Sequence, residues 1–233
     1  MATSTRRWVV AGGIGVPVLV FGLIYLLFFT PESPDKLKLS AKESAGSASA
    51  STLEGRWSVA AGSEAGYRVR EKLANLPAPS DAVGRTTAIT GGFTVSGRAE
   101  SLTVRDTSFQ ADLTQLSSDQ AKRDNRIRTM GLESDRFPSA TFKASEPIEV
   151  PRDALAGKPF QSKVTGDLTI HGVTKRVTIP VAVQRAGENV ELAGSITFPF
   201  SDFGMEPPSV PPLVSVGNDA TMEFKLVLSR VAA

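Results

Sequence analysis

The chain contains one histidine and no cysteine, so few of its residues could supply the familiar chemistry of active sites. The lack of cysteine excludes thiol nucleophiles, disulfides and cysteine-ligated metals, and one histidine excludes every motif that needs two. His171 lies between Ile170 and Gly172, and the sequence places no nucleophile or orienting carboxylate beside it. We therefore expect a protein that is not an enzyme, with no catalytic residues, no metal and no cofactor.

The charge of the chain is nearly balanced, with 26 basic against 24 acidic side chains and a formal net charge of +2. Phosphate recognition needs a clustered basic surface, so nucleic acid is not an expected partner. The small excess lies before residue 52, and 21 residues of each sign follow it. In the basic cluster of residues 122–128, acidic neighbours favour a solvated helix face over an anionic-headgroup site.

The N-terminal part of the chain predicts a membrane anchor. Residues 8–29 carry no charge and follow Arg6 and Arg7 directly. About 20 apolar residues cross a bilayer as a helix, so we predict a cytoplasmic N-terminus over 1–7 and a transmembrane helix over 8–29. A cleaved signal peptide is the alternative, but the apolar run is long for one. The basic residues before the run predict a single-pass protein whose C-terminal part is extracytoplasmic.

A flexible linker and then a folded domain are expected after the anchor. Residues 30–52 are rich in Pro, Ser, Ala, Gly and Lys and contain no aromatic residue, which is typical of a linker. Over 53–233 apolar and polar residues alternate with a period of two, which indicates half-buried strands. His171-Gly172 and Gly187-Glu188-Asn189 are typical hairpin turns, so the sheet should be antiparallel. About eight such strands form either two packed sheets or a closed barrel, and periodicity does not decide between them.

Two segments depart from this alternation. Between Leu102 and Leu113 the apolar positions change phase, which predicts a bulge or bend. Ser117 to Leu132 predicts one helix, opened by a serine cap and ended near Gly131.

Five blocks of the sequence resemble successive motifs of the YceI-like family. They are residues 92–97 (GFTVSG), 122–128 (KRDNRIR), 136–142 (RFPSATF), 166–175 (GDLTIHGVTK) and 201–205 (SDFGM). The resemblance implies an all-β, lipocalin-like barrel of eight antiparallel strands with one short helix, and so favours the barrel over the sandwich. It also implies an exported protein that binds a polyisoprenoid, an isoprenoid-quinone tail or a fatty-acyl chain. A histidine common in the second block is missing, whereas Asp124 and Arg128 match.

The apolar faces of the predicted strands supply the residues that would hold such a ligand, because an apolar barrel interior draws a hydrocarbon chain out of water. The candidate lining residues are Phe93, Val95, Phe109, Phe142, Val164, Leu168, Ile170, Val181, Ile196, Phe198, Phe203 and Phe224. Asp124, Arg128 and Met205 are candidate headgroup or mouth contacts. The alternative is a solidly packed barrel that serves as a structural or interaction module of the envelope. The sequence indicates no particular protein partner.

Overall fold

The structure is a computed structural model that describes residues 33–41, 53–74, 78–98, 101–151, 154 and 158–232. The predicted N-terminus (1–7) and transmembrane anchor (8–29) lie outside these residues. In the part of the chain that is described, no helix is long and apolar enough to cross a membrane.

Eleven β-strands form one antiparallel sheet within the described residues. They are β1 (Gly55–Val59), β2 (Glu64–Leu73), β3 (Ser80–Thr86), β4 (Ile89–Arg98), β5 (Ser101–Asp112), β6 (Ser139–Ala144), β7 (Ile148–Glu149), β8 (Phe160–Ile170), β9 (Val173–Ala186), β10 (Asn189–Pro199) and β11 (Val214–Arg230). One α-helix, α1 (Ala121–Thr129), and two short 3-10 turns, Leu113–Gln115 and Phe200–Phe203, complete the described elements. The hairpin turns predicted at His171-Gly172 and at Gly187-Glu188 join β8 to β9 and β9 to β10.

The sheet closes into a barrel through β1, which pairs with β4 on one edge and with β11 on the other. β1 and β2 both lie antiparallel to the same edge of β11, so together they fill one strand position of the barrel. We call each such strand position a stave. β7 continues the line of β6 along β5, and β3 extends the sheet beyond β2. The result is a barrel of eight antiparallel staves with one short helix. The predicted barrel is confirmed.

The apolar core forms two clusters along the barrel. One surrounds Leu168, Phe198 and Phe203, on the side where α1 and the His171 hairpin lie, and we call this the helix end. The other surrounds Trp57 and Leu102 towards the opposite end. The inward apolar residues of the strands therefore form two separate clusters, one towards each end of the barrel.

The predicted bulge and helix are both present, with changes in detail. The register between β4 and β5 shifts, and Asp106 adopts a positive φ of 54°, which accounts for the change of phase in the sequence. The helix is shorter than the predicted Ser117 to Leu132. Ser117 pairs with Arg85 in an isolated bridge, and Ser118 donates to the Asp124 carboxylate, so neither serine caps the helix.

Residues 33–41, which we call the strap, lie across the outside of the barrel. At its first end, Ser33 Oγ donates to Asp81 O and accepts from Asp81 N, both at 3.0 Å, on β3. The carbonyl oxygen of Pro34 accepts a hydrogen bond of 2.7 Å from Arg68 on β2. The linker prediction over 30–52 gave no indication of these contacts, and residues 30–32 and 42–52 lie outside the described residues.

The other end of the strap is fixed by Glu191 on β10. The backbone N–H and hydroxyl of Ser40 donate to this carboxylate at 3.0 and 2.9 Å, and Gln184 donates to both Glu191 and Ser40 O at 2.9 Å. Burial raises the pKa of Glu191, but the hydrogen bonds from Ser40 and Gln184 and the charge of Lys225 outweigh it, so that the pKa lies below its ordinary value. Ionised Glu191 therefore holds the strap.

Between these two ends the strap covers charged side chains on the outer face. Glu223 is 1% exposed and accepts from Arg68 Nε at 3.3 Å and from Arg85 at 3.1 Å. Arg85 also donates to Asp35 O of the strap. Buried charges destabilise a fold unless each is paired and hydrogen-bonded, and the strap carbonyls provide part of that bonding.

We expect the strap to loosen in acid. Because the pKa of Glu191 is lowered by folding, its contribution is present above the unfolded-state pKa and is lost as the pH falls through the folded-state pKa. Amide protection factors over residues 33–41 should therefore fall between neutral pH and about pH 3, before those of β8 and β9. Hydrogen exchange with mass spectrometry measures this.

The matched control for this experiment is Ser33→Ala, at the end of the strap remote from Glu191. It should leave the pH dependence around Ser40 unchanged, whereas Ser40→Ala should reduce protection there at neutral pH. A strap without amide protection at neutral pH would contradict the prediction.

Candidate lipid-binding cavity

The barrel interior contains two adjoining apolar cavities, of about 210 Å³ and about 110 Å³, bounded by described residues. The larger lies in the half of the barrel around Trp57 and Phe93. The smaller lies at the helix end, beneath α1 and the Phe200–Phe203 turn. Their walls are almost entirely apolar because the period-two alternation turns the polar residues of each strand outward.

Most of the predicted lining residues lie on these walls. The larger cavity contacts Phe93, Val95, Phe109, Phe142, Val164, Leu168, Val181 and Phe224. The smaller one contacts Ile170 and Phe198. Ile196 and Phe203 lie outside both, and Phe203 packs edge-on against Phe198 with ring centroids 4.7 Å apart. That these residues bind lipid stays a prediction.

The three candidate headgroup or mouth contacts do not lie together. Asp124 Oδ1 accepts from the backbone N–H and the hydroxyl of Ser118 at 3.0 and 2.6 Å, and so organises the start of α1. Arg128 is exposed on the helix surface. Neither lines a cavity, whereas Met205, only 5% exposed, contributes to the smaller cavity as a buried wall residue.

Two glycines make room for phenylalanine rings of the larger cavity. A Cβ added at Gly166 would lie 2.4 Å from the carbonyl oxygen of Lys143 and 2.6 Å from the ring of Phe142, and one added at Gly194 would lie 2.7 Å from both the carbonyl oxygen of Pro180 and the ring of Phe224. All of these distances are shorter than a van der Waals contact, so a side chain at either position would clash with the backbone of the neighbouring strand and displace the ring. The glycines thus keep these rings flat against the wall.

Two buried hydroxyls in the cavity walls were not among the predicted site residues. Thr107 lines the larger cavity and is 7% exposed, and Tyr67 lines the smaller one. Neither hydroxyl has a hydrogen-bond partner among the described residues. Burial raises the pKa of Tyr67 well above its ordinary value, so this hydroxyl remains a donor. The side chains of Thr107 and Phe109 both face inward. The alternation around Phe109 indicates this, but the bulge changes the phase relative to Leu102 and Val104, so Thr107 was not recognised as an inward residue.

An ion pair fixes α1 over the helix end of the barrel. Arg123 on the helix contacts Glu71 at the end of β2 at 2.5 Å, and Arg123 also pairs with Asp119. Burial lowers the pKa of Arg123, but the hydrogen bonds and charges of Glu71 and Asp119 outweigh it and hold that pKa above its ordinary value. The pair thus holds α1, whose Ile127 lines the smaller cavity, against the end of β2.

His171 joins three loops at the helix end. Its backbone has a positive φ of 53°, its Nδ1 lies 3.3 Å from Phe203 O, and its ring centroid lies 4.3 Å from that of Phe137. Its Nε2 lies 3.2 Å from the Glu133 carboxylate but is not aligned for a hydrogen bond. This is packing between turns. Within the described residues, no group of acidic or histidine side chains could hold a metal ion.

Comparison with known proteins agrees with the barrel. The sequence model of the YceI-like domain matches residues 57–228. The chain belongs to the YceI-like family. It is 33% identical over 99 residues to a UPF0312 protein of Vibrio parahaemolyticus, an alignment that covers 40% of this chain and 49% of that protein. A UPF0312 protein of Vibrio campbellii is 35% identical over 79 residues, or 34% of this chain and 38% of that protein. The chain spans about half the length of the curated relatives it matches.

Among solved structures, this YceI-like chain is similar to a polyisoprenoid binding domain from Saccharophagus degradans. The TM-score is 0.56 at 17% sequence identity, and the alignment covers 75% of this chain and 98% of that domain. Similarity at this level of identity shows that the fold is shared.

Thr107→Val tests whether the larger cavity leaves this hydroxyl unsatisfied. The substitution replaces a buried, unpaired hydroxyl by a methyl group of the same shape, so we expect the free energy of unfolding to rise by about 1 kcal/mol. Urea unfolding measures it. The control is Thr165→Val, where the hydroxyl lies 2.9 Å from that of Thr178 on the exposed outer face, and the change should stay within about 0.5 kcal/mol. A clear loss of stability in Thr107→Val would mean that its hydroxyl has a partner.

Proposed function

We propose that this YceI-like protein holds one apolar lipid chain inside its barrel and catalyses no reaction. The chain would belong to a polyisoprenoid, an isoprenoid quinone or a fatty-acyl lipid. The observation that carries the proposal is the pair of adjoining cavities with apolar walls in the barrel interior.

The physical chemistry of an apolar cavity supports this proposal. Burial of hydrocarbon contributes about 25 cal/mol per Å² of apolar surface, or about 0.8 kcal/mol for each methylene group. An apolar cavity of this kind offers water almost no hydrogen bonds, and an empty one costs stability in proportion to its volume. A slender hydrocarbon chain therefore suits both cavities better than water does.

The solved relative supports the same class of ligand. The domain from Saccharophagus degradans is described as polyisoprenoid binding, and its barrel is similar to this one along nearly its whole length. The near neutrality of residues 53–233 is consistent with an apolar ligand.

The proposal includes attachment to a membrane. Residues 8–29 would form a single transmembrane helix, with the N-terminus in the cytoplasm and the barrel outside it. The support is the uncharged apolar run and the basic residues that precede it. An anchored barrel would remain close to the bilayer from which an apolar chain must come.

The cavities favour this proposal over the alternative, a structural or interaction module of the envelope with a solidly packed barrel. Cavities of about 210 and 110 Å³ remain between the described side chains. Well-packed interiors contain few voids larger than a water molecule.

Lipid analysis of the purified full chain tests the proposed function. Protein extracted from membranes in detergent, and then treated with organic solvent, should yield about one isoprenoid or acyl lipid per chain by mass spectrometry. Val164→Phe fills part of the larger cavity and should lower that yield about tenfold.

Lys163→Phe provides the matched control, because Lys163 precedes Val164 on β8 but points outward and is exposed. It should retain the bound lipid. Equal amounts of lipid in all three proteins would indicate lipid from the detergent micelle. That result, or no lipid in any of them, would contradict the proposal.

A further inference from the structure

We propose that Met222 divides the barrel interior and, together with three alanines around it, determines how long a lipid chain the barrel accepts. This inference rests on the proposed lipid-binding function. The residues concerned are Ala65, Ala111, Ala140 and Met222, which we call the waist.

The waist is defined by the cavities themselves. Ala65, Ala111, Ala140 and Met222 are the described residues that line both the larger and the smaller cavity. They also lie where the two core clusters meet, since Ala140 and Met222 pack against the cluster at the helix end and Ala65 and Ala111 pack against the other. The boundary between the cavities and the boundary between the clusters therefore coincide.

The strand pairing places these residues on opposite walls. Ala111 on β5 and Ala140 on β6 are directly paired. Met222 on β11 is paired with Tyr67, and Ala65 lies diagonally next to it on β2. In the order of the sheet, β6 and β11 are half a turn of the barrel apart in either direction. The side chain of Met222 thus faces the pair of alanines.

The residue types make this boundary adjustable. Each alanine projects a single methyl group, so three of the four positions leave the centre of the barrel open. Methionine is unbranched and has three rotatable side-chain bonds, and it adapts to irregular spaces more readily than any other apolar residue. A rotation of Met222 would join the two cavities without any movement of the barrel strands.

The smaller cavity would then accept the end of a long chain. Beyond the waist, the walls of the smaller cavity are apolar. They are formed by the underside of α1 and by the buried side chains of Phe200 and Met205. The Arg123–Glu71 pair holds α1 in place over this end. A short chain would occupy the larger cavity alone, and a longer chain would also have to displace Met222.

Chain-length selectivity of two variants tests this inference. The probes are fatty acids from octanoate to eicosanoate, which compete with a bound fluorescent fatty acid on the full chain in dilute detergent. In Met222→Ala the affinity ratio of long to short fatty acids should rise about tenfold, because a long chain no longer has to displace a side chain. In Ala140→Phe the same ratio should fall about tenfold, because the ring blocks the waist.

Two controls separate this inference from the proposed function and from misfolding. Met222→Leu keeps an apolar side chain of similar size and should not raise the ratio, and Thr197→Ala, at an exposed position on the outer face where the hydroxyl lies 2.8 Å from that of Thr221, should leave it unchanged. Fatty acids that bind with the same length profile in all variants would overturn the inference about the waist and leave the proposed function intact. If neither these fatty acids nor a second series of probes, the isoprenoid alcohols geraniol, farnesol and geranylgeraniol, binds to any of the proteins, both the inference and the proposed function are overturned. If Ala140→Phe does not unfold cooperatively, Met222→Ala decides the matter alone, and an unchanged ratio there would overturn the inference.

Discussion

Closure of the sheet by β1 is the constraint on which the rest of the structure depends. This five-residue strand bonds to β4 on one side and to β11 on the other, so neither edge of the sheet remains open there. Once eight staves close, the strand number and stagger set the width of the barrel, and side-chain size does not. The interior must then be filled by side chains or by something else.

In this chain the side chains leave part of the interior unfilled. Gly166 and Gly194 let aromatic rings lie against the wall, and the alanines of the waist contribute only methyl groups at the level where the two cavities meet. A packed barrel would carry large residues at such positions. The cavities therefore arise from small residues at a few inward positions, while the strands around them keep ordinary apolar inward faces.

Much of this fold could be predicted from the sequence, because each strand carries its alternation locally. Val164, Leu168 and Ile170 on β8 reveal their common face without any knowledge of the neighbouring strands. The choice between barrel and sandwich depended instead on family resemblance, since both closures use the same alternation. The waist was not predicted, because alternation assigns Ala140 and Met222 to the interior but does not tell which inward residues face one another.

The contacts of the strap with the barrel could not be predicted from the sequence either. Its serines, lysines and single proline have the composition of a linker, and it binds the barrel through backbone carbonyl oxygens, which every residue possesses, and through the hydroxyls of Ser33 and Ser40. Its partners on the barrel, Arg68 and Gln184, are polar residues on outward faces and so look like ordinary surface positions. Their burial becomes visible only when the two segments are placed together.

The central claim, that a hydrocarbon chain occupies the barrel interior, can be tested through Trp57, which is 4% exposed and lines the larger cavity. In a Trp8→Phe variant of the full chain, Trp57 is the only tryptophan. Titration with a bromine-labelled fatty acid, a contact quencher, should quench its fluorescence and saturate at about one ligand per chain, and Val164→Phe should weaken the effect about tenfold. Quenching that does not saturate, or no quenching while the fatty acid binds, would contradict the claim.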